Sequence, residues 1–435
     1  MARTMKDSGV EWIGMIPKEW DRISLLSALR TKITDGPHET PELVENGIPF
    51  ISVDSLNDSK HVDLSVVKKY ISEELYTEYY RKASLEKGDI LFSKSATIGK
   101  TAIVDDRKFM VWSPLAILKV NQNCASIDYI YYVLNCEQLI KYASLLGTSN
   151  TQVNVGMRAL EKAKIPMPSR DEQNRIAKYL DEKCAAIDEV IAKTQESIEE
   201  YKKLKQAVIT EAVTKGVRGK RPMKDSGIDW IGQIPQEWSL LKLKYITRIS
   251  RGLFNHRPRN DIRFYNGKYP FIQTGDVAGA NKYITTYSQT LNELGKDVSK
   301  EFPAGTLTMT IAANVGDVAI LGFDAYFPDS VVGFIPKTGF DTMYMYYVFR
   351  GMKDVFVRTA IKNTQLNLNI DRMKEMQVSV TPDKSEQKEI ADYLDKKCAA
   401  IDTLIEKKQQ FIEELTAYKK SLIYEYVTGK KEVPA

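Results

Sequence analysis

Residues 5–20 read MKDSGVEWIGMIPKEW and residues 223–238 read MKDSGIDWIGQIPQEW, with twelve of sixteen positions identical. The offset is 218 residues in a chain of 435. A second block, EQNRIAKYLDEKCAAID at 172–188, returns as EQKEIADYLDKKCAAID at 386–402, with thirteen of seventeen positions identical. Fainter echoes keep the same order between them: PFIS at 49–52 with PFIQ at 270–273, GDILFSKSATIGKTAIV at 88–104 with GTLTMTIAANVGDVAIL at 305–321, and NTQVNV at 150–155 with NTQLNL at 363–368. Two units of this length are not a solenoid. The chain is a tandem duplication in which a frame, WIG…IP.EW at the start and EQ..IA.YLD.K at the end, brackets a divergent interior. A frame held constant does one job twice; interiors that drift do two jobs of one kind.

Each closing block opens a long amphipathic stretch. Apolar residues fall at Ile176, Leu180, Cys184, Ile187, Ile191, Ile198, Tyr201, Leu204, Val208 and Ala212, and again at Ile390, Leu394, Cys398, Ile401, Ile405, Ile412, Leu415, Tyr418, Leu422 and Tyr426. Spacings of three and four alternate without Pro or Gly, interrupted at equivalent places by polar Thr194 and Lys408, which predicts a coiled-coil seam over about six heptads. Pro166, Pro168 and Pro382 precede cap-type and acidic residues at the two starts, and Gly216 and Gly429 mark the two ends. A helix of about 43 residues is about 65 Å long. The reading is an antiparallel pair, with Cys184 and Cys398 packing on the seam. The segments are 1–20 (frame), 21–165 (first interior), 166–216 (long helix), 217–238 (hinge and repeated frame), 239–380 (second interior) and 381–435 (second long helix).

The interiors alternate short apolar runs with loops, as in 48–53, 89–92, 102–104 and 115–120, and in 269–272, 306–311, 318–321 and 331–335. Helical stretches follow at Tyr129–Tyr142 and Tyr344–Val357. The fold class expected is α+β: two domains of mixed or antiparallel sheet with short helices, joined and spaced by two long antiparallel coiled-coil helices in a pseudo-twofold tandem duplication.

Net charge is +5, so the location of charge decides more than its sum. Between Lys242 and Lys268 lie eight basic residues and one acid, Asp261, interleaved with aromatics and asparagines. Arginine and lysine neutralise phosphates, and arginine and asparagine grip purine edges. Arg248, Arg251, Asn255, His256, Arg257, Arg259, Asn260 and Arg263 are therefore candidate DNA contacts. The matching stretch of the first copy, TKITDGPHETPE at 31–42, is acidic on balance, so its candidates come from the loop Lys94-Ser95-Ala96-Thr97-Ile98-Gly99-Lys100; the second copy adds Asn314 in the counterpart loop. Gly99 and Gly316 coincide, as a tight turn requires.

No GxxxxGK[ST], no GxGxxG after a strand and no [DN]PP[YF] is present. Three non-equivalent histidines, His38, His61 and His256, provide no duplicated acid–base set. Pro382-Asp383…Glu386-Gln387-Lys388 has a faint nuclease look, but the spacing is too tight for two strands and Asn174 replaces the lysine in the first copy. Four cysteines without a CxxC pair read as reduced thiols, with no metal site expected. The apolar runs are too short for a bilayer span, and the start lacks a signal-peptide core, so a cytoplasmic protein is expected.

A pair of variable domains, each followed by a long helix opening with EQ..IA.YLD.K…ID, resembles the specificity subunits of type I restriction–modification systems. The residues carrying the resemblance are Trp12-Ile13-Gly14 and Trp230-Ile231-Gly232, Ile16-Pro17 and Ile234-Pro235, Thr151-Gln152-Val153-Asn154 and Thr364-Gln365-Leu366-Asn367, and both helix openings. The resemblance implies a non-catalytic subunit whose variable interiors are target-recognition domains, each reading half of a split, asymmetric site in double-stranded DNA. It implies that the helices set the gap and that the frame docks two adenine-methyltransferase (modification) subunits, joined by motor–nuclease (restriction) subunits. The candidate docking and spacer residues are then Trp12, Trp230, Gln152, Asn154, Gln365, Asn367, Glu172, Gln173, Glu386, Gln387, Ile187 and Ile401. No cofactor is expected on this chain; S-adenosylmethionine, Mg²⁺ and ATP belong to the partners. The alternative, a coiled-coil assembly scaffold without base readout, explains helices and frame but not the basic segment or the divergence of the interiors.

Overall fold

The computed structural model describes residues 3–57, 59–95, 97–146, 155–312, 314–362 and 366–434. The chain divides into two units, one of Met1–Thr194 with Gln410–Ala435, the other of Gln195–Gln409. The division cuts each long helix, Arg170–Lys215 and Lys384–Val427. Each unit thus holds the opening turns of one helix and the closing turns of the other.

The first unit begins with an antiparallel hairpin, Met5–Asp7 with Met15–Pro17. Its central sheet is antiparallel, in the order Thr34–Asp35, Leu115–Leu118, Ile90–Ser93, Thr101–Ile103. A smaller sheet joins Ile48–Ile51 to Tyr70–Ile71 and, in parallel, to Met110–Val111. The second unit repeats the hairpin with Met223–Asp225 and Gln233–Pro235. Its central sheet repeats the order with Thr247–Arg251, Val331–Pro336, Leu307–Thr310 and Val318–Leu321, and adds Tyr283–Ile284 in parallel at the edge. The inner strands Ile90–Ser93, Leu115–Leu118 and Val318–Leu321 are buried on both faces, which is why they read as apolar runs.

Several boundaries differ from the sequence reading. Pro166 belongs to the strand Lys164–Met167, which pairs with Asp21–Ser24, so the helix starts only at Arg170. In the second copy the strand Gln377–Val380 pairs with Ser239–Lys242 ahead of the helix at Lys384. The single helices expected at Tyr129–Tyr142 and Tyr344–Val357 are each two, Ile127–Leu134 with Glu137–Leu145 and Thr342–Gly351 with Lys353–Thr359. Gly99 and Gly316 have φ of +92° and +88° and close hairpins between paired strands.

The long helices run antiparallel where they meet. In the first unit the Lys419 Nζ lies 2.6 Å from an Asp188 carboxylate oxygen; in the second, Lys205 lies 2.6 Å from Asp402. The two contacts are one contact with the copies exchanged, since both pairs of equivalents are 214 residues apart. Ile176, Leu180, Cys184 and Ile198, and Ile390, Leu394, Cys398, Ile401 and Ile412, are buried along the seam. Burial pushes the Cys184 thiol up to about 11 and raises Cys398, as expected of packing residues. Leu204 and Tyr418, expected on the seam, are 48 % and 53 % exposed. The seam drifts at these equivalent places because 3.6 residues per turn do not keep step with a heptad. Beyond them burial shifts to Ile209 and Val213, and to Ile423 and Val427, where the helix ends join the cores of their units.

One junction fastens frame to helix in both units. Trp20 Nε1 donates to Glu172 at 2.8 Å, and Trp238 Nε1 donates to Glu386 at 3.0 Å. Arg3 and Arg221 pair with the same two carboxylates at 2.6 and 2.5 Å, and each guanidinium lies 5.4 Å from the ring of its tryptophan. Thr381 Oγ1 also donates to Glu386. Replacing Glu386 by Ala leaves the Trp238 indole and the Thr381 hydroxyl without their acceptor in a buried site and takes from Arg221 its buried partner, leaving it Glu237 and the Lys215 carbonyl. The expected loss is about 3 kcal/mol, read by denaturant unfolding with tryptophan fluorescence. Glu199→Ala, which breaks an exposed pair with Lys202, is expected to change stability by less than about 0.5 kcal/mol.

Candidate nucleic-acid interface

Both interiors leave the shared sheet at the same corner. Asp35 pairs with Ala116 in the first unit, and Arg251 pairs with Val332 in the second, at equivalent register. A glycine follows in each, Gly36 or Gly252. A Cβ on Gly36 would collide with the carbonyl of Val111, and one on Gly252 with those of Phe327 and Pro328. Gly252 and Leu253 in turn donate backbone N–H groups to Val331 and Phe327 at 2.9 and 3.0 Å. Close backbone approach therefore holds the corner fixed, and the variable loops diverge immediately beyond it.

In the second unit the loop climbs through Leu253–Asp261 to a 3₁₀ turn at Ile262–Phe264, and the chain returns as the strand Tyr265–Phe271. Phe254, Tyr265 and Phe271 pack beneath it as an aromatic floor, with Phe254 and Tyr265 stacked at 5.6 Å. His256 stacks on Phe264 at 3.9 Å and lies 3.0 Å from Asp261, which also holds Arg263. The Arg263 guanidinium and backbone keep the Asp261 carboxyl well below the usual carboxylate range. Asp329 reaches in from the connection before Val331. Its side chain pairs with Arg259 and lies 3.7 Å from Arg257, while its carbonyl accepts from Arg251 Nε at 2.6 Å. Arg257 Nη1 donates to the carbonyls of Phe254 and His256 at 2.7 and 2.8 Å. Asn255 and Asn260 are exposed, as is Arg248, on the sheet-edge strand.

The basic segment is thus less cationic in space than along the chain. Glu375 takes Lys242 and Lys244, which lower its carboxyl to about 2, and Glu293 lies 3.4 Å from Lys268. With Asp329, three acids from elsewhere join Asp261, and the excess falls from seven to four. Sequence inspection missed all three because each is remote in the chain.

The first unit builds its corner with other chemistry. Lys94 is drawn into an ion pair with Asp35, both largely buried, so the lysine is half of an internal pair rather than a free cation. His38 lies 3.3 Å from Asp35 and 2.9 Å from the Ser113 hydroxyl. Ser113 stands where the second unit has Asp329, and Asp35 where it has Arg251. Lys100 donates to the Leu56 carbonyl at 2.7 Å. Ser95 is half-buried and Thr97 exposed, and Thr97 accepts through its carbonyl from Ser93. The hairpin-turn function of 94–100 therefore dominates. Asn314, in the counterpart turn, is exposed, with its carbonyl accepting from the Thr310 hydroxyl.

The proposed docking residues fare differently. Gln173 accepts from the Ser126 N–H at 2.7 Å and donates to the Pro168 carbonyl, and Gln387 does the same with Asp341 and Thr381. Glu172 and Glu386 are held by tryptophan and arginine. These four side chains, candidates for docking or for the spacer, make their hydrogen bonds and ion pairs inside their own units. Trp12 is buried and donates to the Lys164 carbonyl at 2.8 Å; Trp230 is half-buried. Ile187 and Ile401 line the helix seam, half-buried and buried. Gln152, Asn154 and Gln365 lie outside the described residues, and Asn367 ends the short strand Leu366–Asn367. The junction residues Trp20, Trp238, Arg3 and Arg221 were missed, although all four lie in or beside the quoted repeat. Among the described residues, no cluster of three or more His, Cys, Asp or Glu side chains is placed to hold a metal ion, and no helix is long and apolar enough to cross a membrane.

A family model for the type I restriction modification DNA specificity domain matches residues 34–200 and 235–414. The chain belongs to that family. A Methanocaldococcus jannaschii protein provisionally designated the type I restriction enzyme MjaX specificity subunit is 27 % identical over 433 residues, covering 97 % of this chain and 96 % of that one. The type I restriction enzyme MjaVIII specificity subunit of the same organism is 23 % identical, over 96 % and 94 %. A chain solved in work on complex assembly and conformational transition of the type I R-M system shares the fold, with a TM-score of 0.70 at 13 % identity, over 96 % of this chain and 99 % of that one. The family matches take in both sheet corners. Gly252→Ala is expected to cost about 1–3 kcal/mol in a thermal-shift or denaturant measurement. Gly275→Ala, where a Cβ meets open space, is expected to leave stability within about 1 kcal/mol of the parent.

Proposed function

We propose that each unit reads one half of a bipartite, asymmetric DNA site, and that the chain delivers this specificity to methyltransferase and motor–nuclease subunits without performing chemistry itself. The observation that carries the reading is the pair of equivalent corners. One scaffold sets exposed His38 and half-buried Ser113 around an internal Asp35–Lys94 pair in one unit, and Arg251, Arg257 and Arg259 around Asp329 in the other. Different donor and acceptor sets on one backbone frame are what two unlike half-sites require. A fused pseudo-dimer keeps a repeated scaffold while freeing each head to vary, whereas a true homodimer reads a palindrome.

Docking falls, on this proposal, to residues other than Glu172, Gln173, Glu386 and Gln387. Val190 and Leu404 are equivalent and 42 % and 41 % exposed, and Leu204 and Tyr418 are equivalent and exposed as well. Apolar positions left open at the same place on both helices suit two copies of one partner. S-adenosylmethionine, Mg²⁺ and ATP belong, on this reading, to the partner subunits, and the complex works in the cytoplasm.

The test is methylome sequencing of a host expressing this chain with its methyltransferase partner; the expected outcome is a split motif modified on both strands. Arg259→Ala is expected to reduce methylation of the cognate site by about tenfold, within the 1–3 kcal/mol of a good base contact, while copurification with the partner is unchanged. Undiminished methylation would remove Arg259 from the interface.

A further inference from the structure

We propose that Asp329 is a positioning residue that buttresses Arg257 and Arg259, and thereby sets how strictly the second unit discriminates between DNA sequences. The inference rests on the DNA-reading function above. Asp329 lies 70 residues beyond Arg259 in the chain. It sits on the turn Pro328-Asp329-Ser330, tied through the Val331 N–H to the Pro328 carbonyl at 3.0 Å. Its carboxylate is 32 % exposed, whereas the arginine side chains it faces are 56 % and 46 % exposed. The acid is thus recessed and the cations project past it. Asp261, by contrast, binds Arg263 two residues away, a purely local contact.

A guanidinium has five N–H donors in a fixed fork. Arg259 spends one nitrogen on Asp329 and keeps the rest. Arg257 spends Nη1 on two loop carbonyls and turns Nη2 toward Asp329. Each arginine is therefore oriented, with donors left over, before any ligand arrives. Held in this way, the pair offers a preset pattern to base edges. Without the carboxylate, Arg259 is a long, flexible cation and Arg257 keeps only its Nη1 bonds to loop carbonyls, so Arg259 first and then Arg257 close on the nearest phosphate of any sequence, since phosphate contact carries no sequence information. Asp329 thus suppresses indiscriminate binding and retains base readout. The first unit has Ser113 at this position and pairs its lysine with Asp35 instead, so the buttress belongs to the second head.

The experiment compares the wild-type complex with Asp329→Asn and Asp329→Ser, the second installing the residue that the first unit carries there. Binding to a duplex lacking the site is measured across salt concentrations, together with methylation of the cognate site and of sites changed by one base pair in the second half. Each freed arginine that reaches a phosphate steepens the log–log salt slope by about 0.9. Both variants are expected to steepen it by about 1 to 2 and to bind the non-cognate duplex about tenfold more tightly at low salt. The preference for cognate over single-mismatch sites is expected to fall by about tenfold. Adding Arg257→Ala and Arg259→Ala to either variant is expected to restore the original slope. A slope and a preference unchanged in both variants overturn the proposal. A wild-type complex that methylates no split site overturns the underlying reading instead, so the two failures are distinguishable.

Discussion

One carboxylate at the start of a long helix, half-buried in Glu172 and buried in Glu386, organises each half of this protein. Glu172 and Glu386, in the first turns of the long helices, accept from the indole of a tryptophan in the frame and from an arginine that lies by that ring. The helix start favours a negative charge there. Such a group cannot lose one partner cheaply, because a charge removed from water must be compensated completely. The hairpin, the helix and the strand pair between them are thereby fixed to one another, and the sheet corner that carries the variable loop inherits that fixity.

This constraint explains the pattern of sameness and drift. The WIG…IP.EW segment and the EQ..IA.YLD.K segment are two sides of one junction, so both copies retain both. A duplicated helix contact, Asp188 with Lys419 and Asp402 with Lys205, repeats the same economy farther along. Immediately beyond Gly36 and Gly252 the loops diverge and carry unlike charge, and the shared ties resume only farther on, where Lys60 pairs with Asp181 and Lys282 with the equivalent Asp395.

The tandem repeat, the long helices, the strand-rich interiors and the turn glycines were legible because periodicity and local conformation are written in neighbouring residues. The role of the frame was not. Repetition reveals what is retained but not what it faces, and Gln173 and Gln387 turn inward to backbone groups at Ser126 and Asp341 that no spacing rule connects to them. The basic segment was legible as a count and misleading as a field, since Asp329, Glu293 and Glu375 enter from distant parts of the chain. Leu204 and Tyr418 fit the heptad and still face solvent, because a helix must choose between its seam and its terminal packing.

The closing turns of the second helix complete the first unit: the Tyr129 hydroxyl donates to the Val427 carbonyl at 3.0 Å, and Leu422, Ile423 and Tyr426 enter the same core as Trp12 and Trp20. On the ribosome, the half made first therefore waits for residues of the second long helix, made well after its own. At ordinary elongation rates that interval is on the order of tens of seconds, during which an apolar surface around Trp20 stands open to chaperones. A premature stop codon in the final turns would accordingly damage the amino-terminal half of the molecule and leave the other half its own helix end.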